Sequence, residues 1–101
     1  MAQVSLVPGG AGLSRPLPLR WDITMEVRFS SKPSTLRIGL GSSDVLVFDG
    51  SLMWHHVMLT RRGLVVDGRH SGSSSLRASS VSLRALHGGV EIRGLVIRRT
   101  R

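Results

Sequence analysis

The chain has 101 residues, no cysteine and a formal net charge of +8, from 14 basic and 6 acidic residues. The lack of cysteine excludes disulfides, thiolate nucleophiles and thiolate metal ligands. A chain of this length holds one hydrophobic core, so we expect a single domain over residues 1–101.

The first twenty residues contain short apolar pieces separated by breaks. Residues 3–7 alternate in polarity, Pro8-Gly9-Gly10 interrupts them, and residues 17–19 lie among prolines. We therefore expect residues 1–20 to form an arm or an edge segment of the domain.

The next segment, Trp21 to Phe29, has the strictest alternation in the chain. Apolar residues occupy every second position and polar residues occupy the positions between them. This period of two predicts a strand with one buried face. The residues expected in the core are Trp21, Ile23, Met25, Val27 and Phe29.

Further strands are predicted in the middle of the chain. Residues 36–40 and 45–48 are short apolar or alternating runs, and a third such run lies at 81–85. Residues 54–68 read as a tight hairpin, with Arg61-Arg62-Gly63 as the break. From this hairpin we expect three core residues: Trp54, Val57 and Leu59.

The last strand, from Val90 to Arg99, changes its phase. Val90 and Ile92 are even-numbered whereas Leu95 and Ile97 are odd-numbered, and Gly94 stands at the change. A β-bulge at the glycine would keep all four apolar residues facing inward. We therefore expect Ile92, Leu95 and Ile97 in the core.

Together these patterns predict an all-β fold, an antiparallel β-sandwich. The hairpin sequence WHHVMLTRRGLVVDG at 54–68 and the spacing of the closing strand resemble the laminin-G-like, concanavalin A-like jelly-roll domains. The early strand, central hairpin and closing strand also follow the order found in that family. The resemblance implies a short jelly roll with about eight to ten short strands.

No catalytic constellation is apparent. His55 and His56 are adjacent on a predicted strand and point to opposite faces, so we do not expect them to coordinate one metal ion together. No Gly-x-Ser-x-Gly elbow occurs, and two of the six carboxylates precede glycine in turns. We expect no enzymatic activity, no catalytic residue and no cofactor.

The resemblance raises the question of calcium, because laminin-G-like domains often hold one calcium ion through loop oxygens. The acidic pair common in the family's closing strand is Arg93-Gly94 here. Asp44 or Asp49 remains as a single turn aspartate near the loops. We therefore expect no metal site.

Charge is the compositional outlier. Lys32 is the only lysine, so 13 of the 14 basic residues are arginine. This bias is explained either by a GC-rich genome, giving a solvated basic surface, or by an acidic partner. The residues expected to contact such a partner lie in the N-terminal segment and the C-terminal tail: Arg15, Arg20, Arg98, Arg99 and Arg101.

Three classes of function remain. The first is a structural or adhesive virion protein, a capsid decoration or small tail component of a phage from a GC-rich host, binding an acidic protein surface in a multi-copy assembly. The chain has no signal-peptide layout or membrane-length apolar run, and phage proteins leave their host by lysis. The expected location is then the virion; a secreted or cell-surface location by an unrecognised route, or the cytoplasm, is the alternative.

The second class is a lectin-like carbohydrate-binding module, and the third is nucleic-acid binding through arginine. The chain has no tyrosine and both tryptophans are expected in the core, which leaves no ring to stack on a sugar. Its arginines are scattered over strands and loops, and no helix is predicted that could enter a groove.

Overall fold

Ten strands and no helix make up the part of the chain that the structure describes. The computed structural model describes residues 3–31, 34–41, 43–48, 51–71 and 77–100, with only the backbone at 43–48 and at Ser71. No helix in these residues is long and apolar enough to cross a membrane. In chain order the strands are β1 (Val4–Leu6), β2 (Leu13–Pro16), β3 (Trp21–Phe29), β4 (Thr35–Leu40), β5 (Ser43–Phe48), β6 (His55–Thr60), β7 (Gly63–Val66), β8 (Arg69–Ser71), β9 (Ser80–His87) and β10 (Val90–Arg99).

The strands form two antiparallel sheets that pack against each other. One sheet has six strands in the order β1-β10-β3-β6-β7-β8, and the other has four in the order β2-β9-β4-β5. Buried side chains from both sheets form one core between them. The expected all-β antiparallel sandwich is confirmed, and the ten described strands lie within the expected range. Membership of the laminin-G-like family stays a prediction.

Strand β3 lies inside the six-stranded sheet and fixes the orientation of its two faces. It pairs with β10 on one side and with β6 on the other. Its five apolar residues, which were expected in the core, are at most 2% exposed, and its four polar residues lie on the outer face. Val57, Leu59 and Ile92 on the neighbouring strands are buried beside them.

The closing strand β10 contains a bulge at the glycine where the sequence predicted one. Arg93 lies opposite Glu26 and Val96 lies opposite Thr24, so β10 has one more residue than β3 in this interval. Gly94 has a φ of 63°, in the left-handed region that glycine adopts without cost. After the bulge, Leu95 and Ile97 again pack against the core, partly buried.

Three short strands lie in segments for which the sequence predicted no defined strand. The N-terminal twenty residues supply β1 to the six-stranded sheet and β2 to the four-stranded sheet, each at a sheet edge. Strand β8 pairs with β7 beyond the turn at Asp67-Gly68. The Ser/Gly-rich segment 71–75, which its composition predicts to be a loop, lies outside the described residues except for the Ser71 backbone.

The expectation that Trp54 belongs to the core is wrong. On β6, His55, Val57 and Leu59 point inward, because they lie opposite Val27, Met25 and Ile23 of β3. Alternation therefore turns Trp54 to the outer face, where it is half-buried. The tryptophan in the core is Trp21, which is 2% exposed.

The two tryptophans give a matched test of this packing. We expect Trp21→Ala to lower the free energy of unfolding by about 3 to 5 kcal/mol, because it removes a buried aromatic side chain. Trp54→Ala should cost only about 1 to 2 kcal/mol, since it removes half-buried contacts on an outer face. Denaturant unfolding followed by circular dichroism measures both, and equal losses would contradict the assignment of faces.

Candidate functional site

The adjacent histidines lie on opposite faces of β6, as their positions predicted. His56 is exposed on the outer face. His55 points inward and packs its ring against Phe29, with 6.1 Å between ring centroids. Its Nδ1 lies 2.7 Å from Oδ2 of Asp67, so His55 joins the start of the hairpin to its end.

The structure brings Ser51, His55 and Asp67 together, an arrangement with the connectivity of a serine hydrolase triad. The Oγ of Ser51 is 3.4 Å from Nε2 of His55, but the backbone oxygen of Ser51 is nearer, at 3.0 Å. The Ser51 carbonyl oxygen and the Asp67 carboxylate only accept hydrogen bonds, so both ring nitrogens of His55 lie beside acceptor oxygens. A general base needs a free lone pair directed at the serine hydroxyl. The geometry therefore suits a structural hydrogen-bonded histidine.

The positions considered for metal binding do not converge in the described residues. No group of three or more His, Asp or Glu side chains there could hold an ion. Arg93 donates through Nε to Glu26 at 3.1 Å, and Gly94 forms the bulge. Asp49 lies outside the described residues, and Asp44 is described only by its backbone on β5.

Trp54 lies in a network of charges on the outer face of the six-stranded sheet. The guanidinium carbon of Arg93 is 3.8 Å from the centre of its ring, and that of Arg28 is 4.7 Å away. Arg28 in turn pairs with Glu91 at 2.8 Å. A sugar would have to displace these cation–π contacts to stack on the indole. This arrangement does not favour the lectin-like alternative.

Three of the five arginines expected to bind a partner meet at one end of the sandwich. Arg20 immediately precedes β3, and its carbonyl oxygen accepts a hydrogen bond from the Thr100 N–H at 2.9 Å. Arg98 and Arg99 lie opposite Asp22 and Trp21, the first residues of β3. Arg15 lies away from them, beside a groove that it shares with Arg93. Arg101 is outside the described residues.

Sequence reasoning missed three further arginines at the same end. Arg61 and Arg62 form the turn between β6 and β7, next to Thr60, which lies opposite Asp22. Arg77 lies in the segment before β9 and lines a cleft together with Arg20 and Arg61. We call this set the arginine-rich end: Arg20, Arg61, Arg62, Arg77, Arg98 and Arg99.

Carboxylates are scarce at the arginine-rich end. Four acidic side chains are described, and only Asp22 lies there, with Oδ1 3.6 Å from Nε of Arg98. That oxygen is buried and has no hydrogen bond within the described residues, so Asp22 is oriented toward Arg98 without a close contact. Glu26 and Glu91 are paired farther along β3 and β10, and Asp67 is paired with His55. Among the described side chains, one carboxylate therefore lies at an end that carries six arginines.

A cleft of about 760 Å³ opens in the arginine-rich end. The connection from β2 to β3 forms one wall with Leu17 and Leu19, and Ser79 lies on the wall before β9. The Leu17 N–H donates to the Ser79 carbonyl at 2.9 Å, which ties the two walls together. The cleft thus combines aliphatic side chains with three arginines.

Comparison of the chain with known protein families, with curated proteins and with solved structures finds no match.

The His55–Asp67 contact predicts a pH dependence of stability. The hydrogen bond from His55, followed by that from the His56 N–H, lowers the pKa of Asp67 below its ordinary value of 3.8. The unfolded chain then binds this proton more readily, so the contact contributes fully above pH 3.8 and is lost as the pH falls through the lowered pKa.

Asp67→Asn should flatten this acid limb of the stability curve. Asparagine keeps an oxygen for the His56 N–H and tolerates the φ of 50° at this position, so the main change is loss of the charge. Urea unfolding between pH 2 and 6 measures the two profiles. If wild type and Asp67→Asn lose stability in parallel as the pH falls, protonation of Asp67 is not coupled to unfolding.

Proposed function

We propose that this chain is a non-catalytic binding module that docks its arginine-rich end on an acidic protein surface. The observation that supports this proposal is that six arginines lie at one end of the sandwich, where only one carboxylate is described. An acidic surface would neutralise this charge, and arginine binds carboxylates with two parallel hydrogen bonds.

Three of the four sheet edges favour docking through the end of the sandwich over strand addition. Among the edge strands, β1 and β8 have three residues each, β2 has four, of which one is Pro16, and β5 has six. Short edges and an edge proline offer few backbone groups for pairing with another strand. A contact through the arginine-rich end uses side chains from several loops instead.

The described aromatic residues favour a protein partner over nucleic acid. Trp21 and Phe29 are buried, and Trp54 is on the outer face of the six-stranded sheet under two guanidinium groups. None of them offers a free ring at the arginine-rich end, whereas single-stranded nucleic acids bind through stacked bases.

We further propose that the acidic surface belongs to a multi-copy particle, a virion in which the domain is a capsid decoration or small tail component. Such a role requires a compact domain and a complementary surface, and no chemistry of its own. The excess positive charge would be relieved in the assembled particle. The lectin-like and nucleic-acid-binding alternatives are outcomes of the test.

Co-sedimentation tests this proposal: the purified chain is mixed with particles prepared from the organism that produces it, and the particles are pelleted. The wild-type chain should sediment with a large assembly at both 50 and 200 mM salt and after nuclease treatment, because a shape-complementary protein contact survives both. Arg62→Glu with Arg99→Glu should release it. Arg69→Glu with Arg84→Glu changes the net charge equally at exposed sites outside the arginine-rich end and should not.

Release by nuclease, or a loss of about a thousandfold in affinity between 50 and 200 mM salt, would assign the domain to nucleic-acid binding. A chain that joins no particle and binds a neutral glycan with micromolar affinity would establish the lectin-like alternative.

A further inference from the structure

The geometry points to the cleft in the arginine-rich end as a recognition site for a short acidic segment that carries an aliphatic residue between its carboxylates. This inference rests on the proposed function and names the part of the acidic partner that the domain binds. The occupant is a stretch of polypeptide in which Glu or Asp alternates with a residue such as leucine.

The charge of the cleft selects the carboxylates. Arg20, Arg61 and Arg77 come from three different segments of the chain and line the same cavity, with no acidic residue in its lining. None of the four described carboxylates forms an ion pair with these three arginines. Guanidinium groups that converge from separate segments can bind separate carboxylates along one extended chain.

The apolar side chains of the cleft select the aliphatic residue. Leu19 is 93% exposed, more than any other large hydrophobic residue whose side chain is described, and Leu17 lies two positions before it in the same wall. An aliphatic side chain from the partner would remove this leucine from water, which contributes to binding in proportion to the area covered. The described lining contains no aromatic ring, so a base or a sugar has nothing on which to stack.

The wall that carries Leu19 is also fixed before binding. Pro16 and Pro18 restrict φ on either side of Leu17, and the backbone hydrogen bonds of Leu17 and Arg20 anchor the connection to the strands beside it. A preorganised wall loses little entropy when a partner binds. The volume of about 760 Å³ lies within the range of about 300 to 1,000 Å³ typical of binding pockets.

Titration of the full chain with synthetic peptides tests the inference. The probe is a short peptide of alternating glutamate and leucine, compared with a version in which glutamine replaces every glutamate and one in which serine replaces every leucine. We expect the glutamate–leucine peptide to bind at least about tenfold more tightly than either version, because each lacks one of the two contact types. Equal affinity for all three would overturn the inference.

Paired variants locate the site. Arg20→Gln with Arg77→Gln should weaken binding of the glutamate–leucine peptide at least about tenfold and reduce its salt dependence. Arg69→Gln with Arg84→Gln removes the same charge from exposed sites outside the arginine-rich end and should change affinity by less than about threefold. Leu19→Ser should weaken binding several-fold with the salt dependence unchanged, and its effect on folding is small because Leu19 is exposed.

The outcomes separate this inference from the proposed function. The two arginine pairs could lose equal affinity for the peptide while particle binding still depends on the arginine-rich end. That result would overturn the cleft as the peptide-binding site and leave the proposed function standing. A peptide that binds wild type and the cleft variants equally would do the same. A chain that sediments with no particle refutes the proposed function whatever the peptide result.

Discussion

The distribution of carboxylates is the constraint on which the functional surface depends. Of the six acidic residues, the four with described side chains are each directed to a basic partner, and three of these pairs lie along the outer face of the six-stranded sheet. The alternation of β3 causes this arrangement, because it turns Asp22 and Glu26 outward toward Arg98 and Arg93 on β10. Among the described side chains, the arginines of the turns and connections consequently have few acidic neighbours at their own end of the sandwich.

This constraint also separates the two charged surfaces of the domain. On the outer face of the six-stranded sheet, ion pairs and cation–π contacts with Trp54 satisfy the charges within the fold. Such exposed pairs contribute little individually to stability, but they leave that face without excess charge. At the arginine-rich end three arginines line one cleft, and we expect repulsion between their like charges to oppose folding until salt screens it. The same domain thus has one self-neutralised face and one arginine-rich end, which is the surface proposed to bind an acidic partner.

Local pattern was enough to predict the sandwich and much of its core. The alternation of residues 21–29 identified the inward face of β3, and the change of phase at Gly94 identified the bulge in β10. The same alternation, applied from Val57 back to Trp54, places the tryptophan on the outer face. The expectation for Trp54 was wrong because it rested on the apolar residues that flank it, at 52–53 and 57–59, and not on the alternation along β6.

The rest depends on contacts between residues distant in sequence. Strand β2 ends in a proline and follows a glycine-rich segment, so its own residues give only a weak strand signal, and its pairing with β9 stabilises it. The arginine-rich end arises because the register of β3 with β6 and β10 brings a turn, a connection and the tail together. The sequence predicts a turn at Arg61-Arg62, but it does not predict which other arginines lie beside that turn.

The most direct test of this account needs no partner. The thermal midpoint of the wild-type chain is compared with those of Arg20→Gln and Arg69→Gln, at low and at high salt. Arg20 has Arg61 and Arg77 in its cleft, whereas Arg69 follows the turn that holds Asp67. If like charges are crowded at the arginine-rich end, Arg20→Gln raises the midpoint at low salt, Arg69→Gln does not, and the difference disappears at high salt. A lower midpoint for Arg20→Gln at low salt would contradict the account.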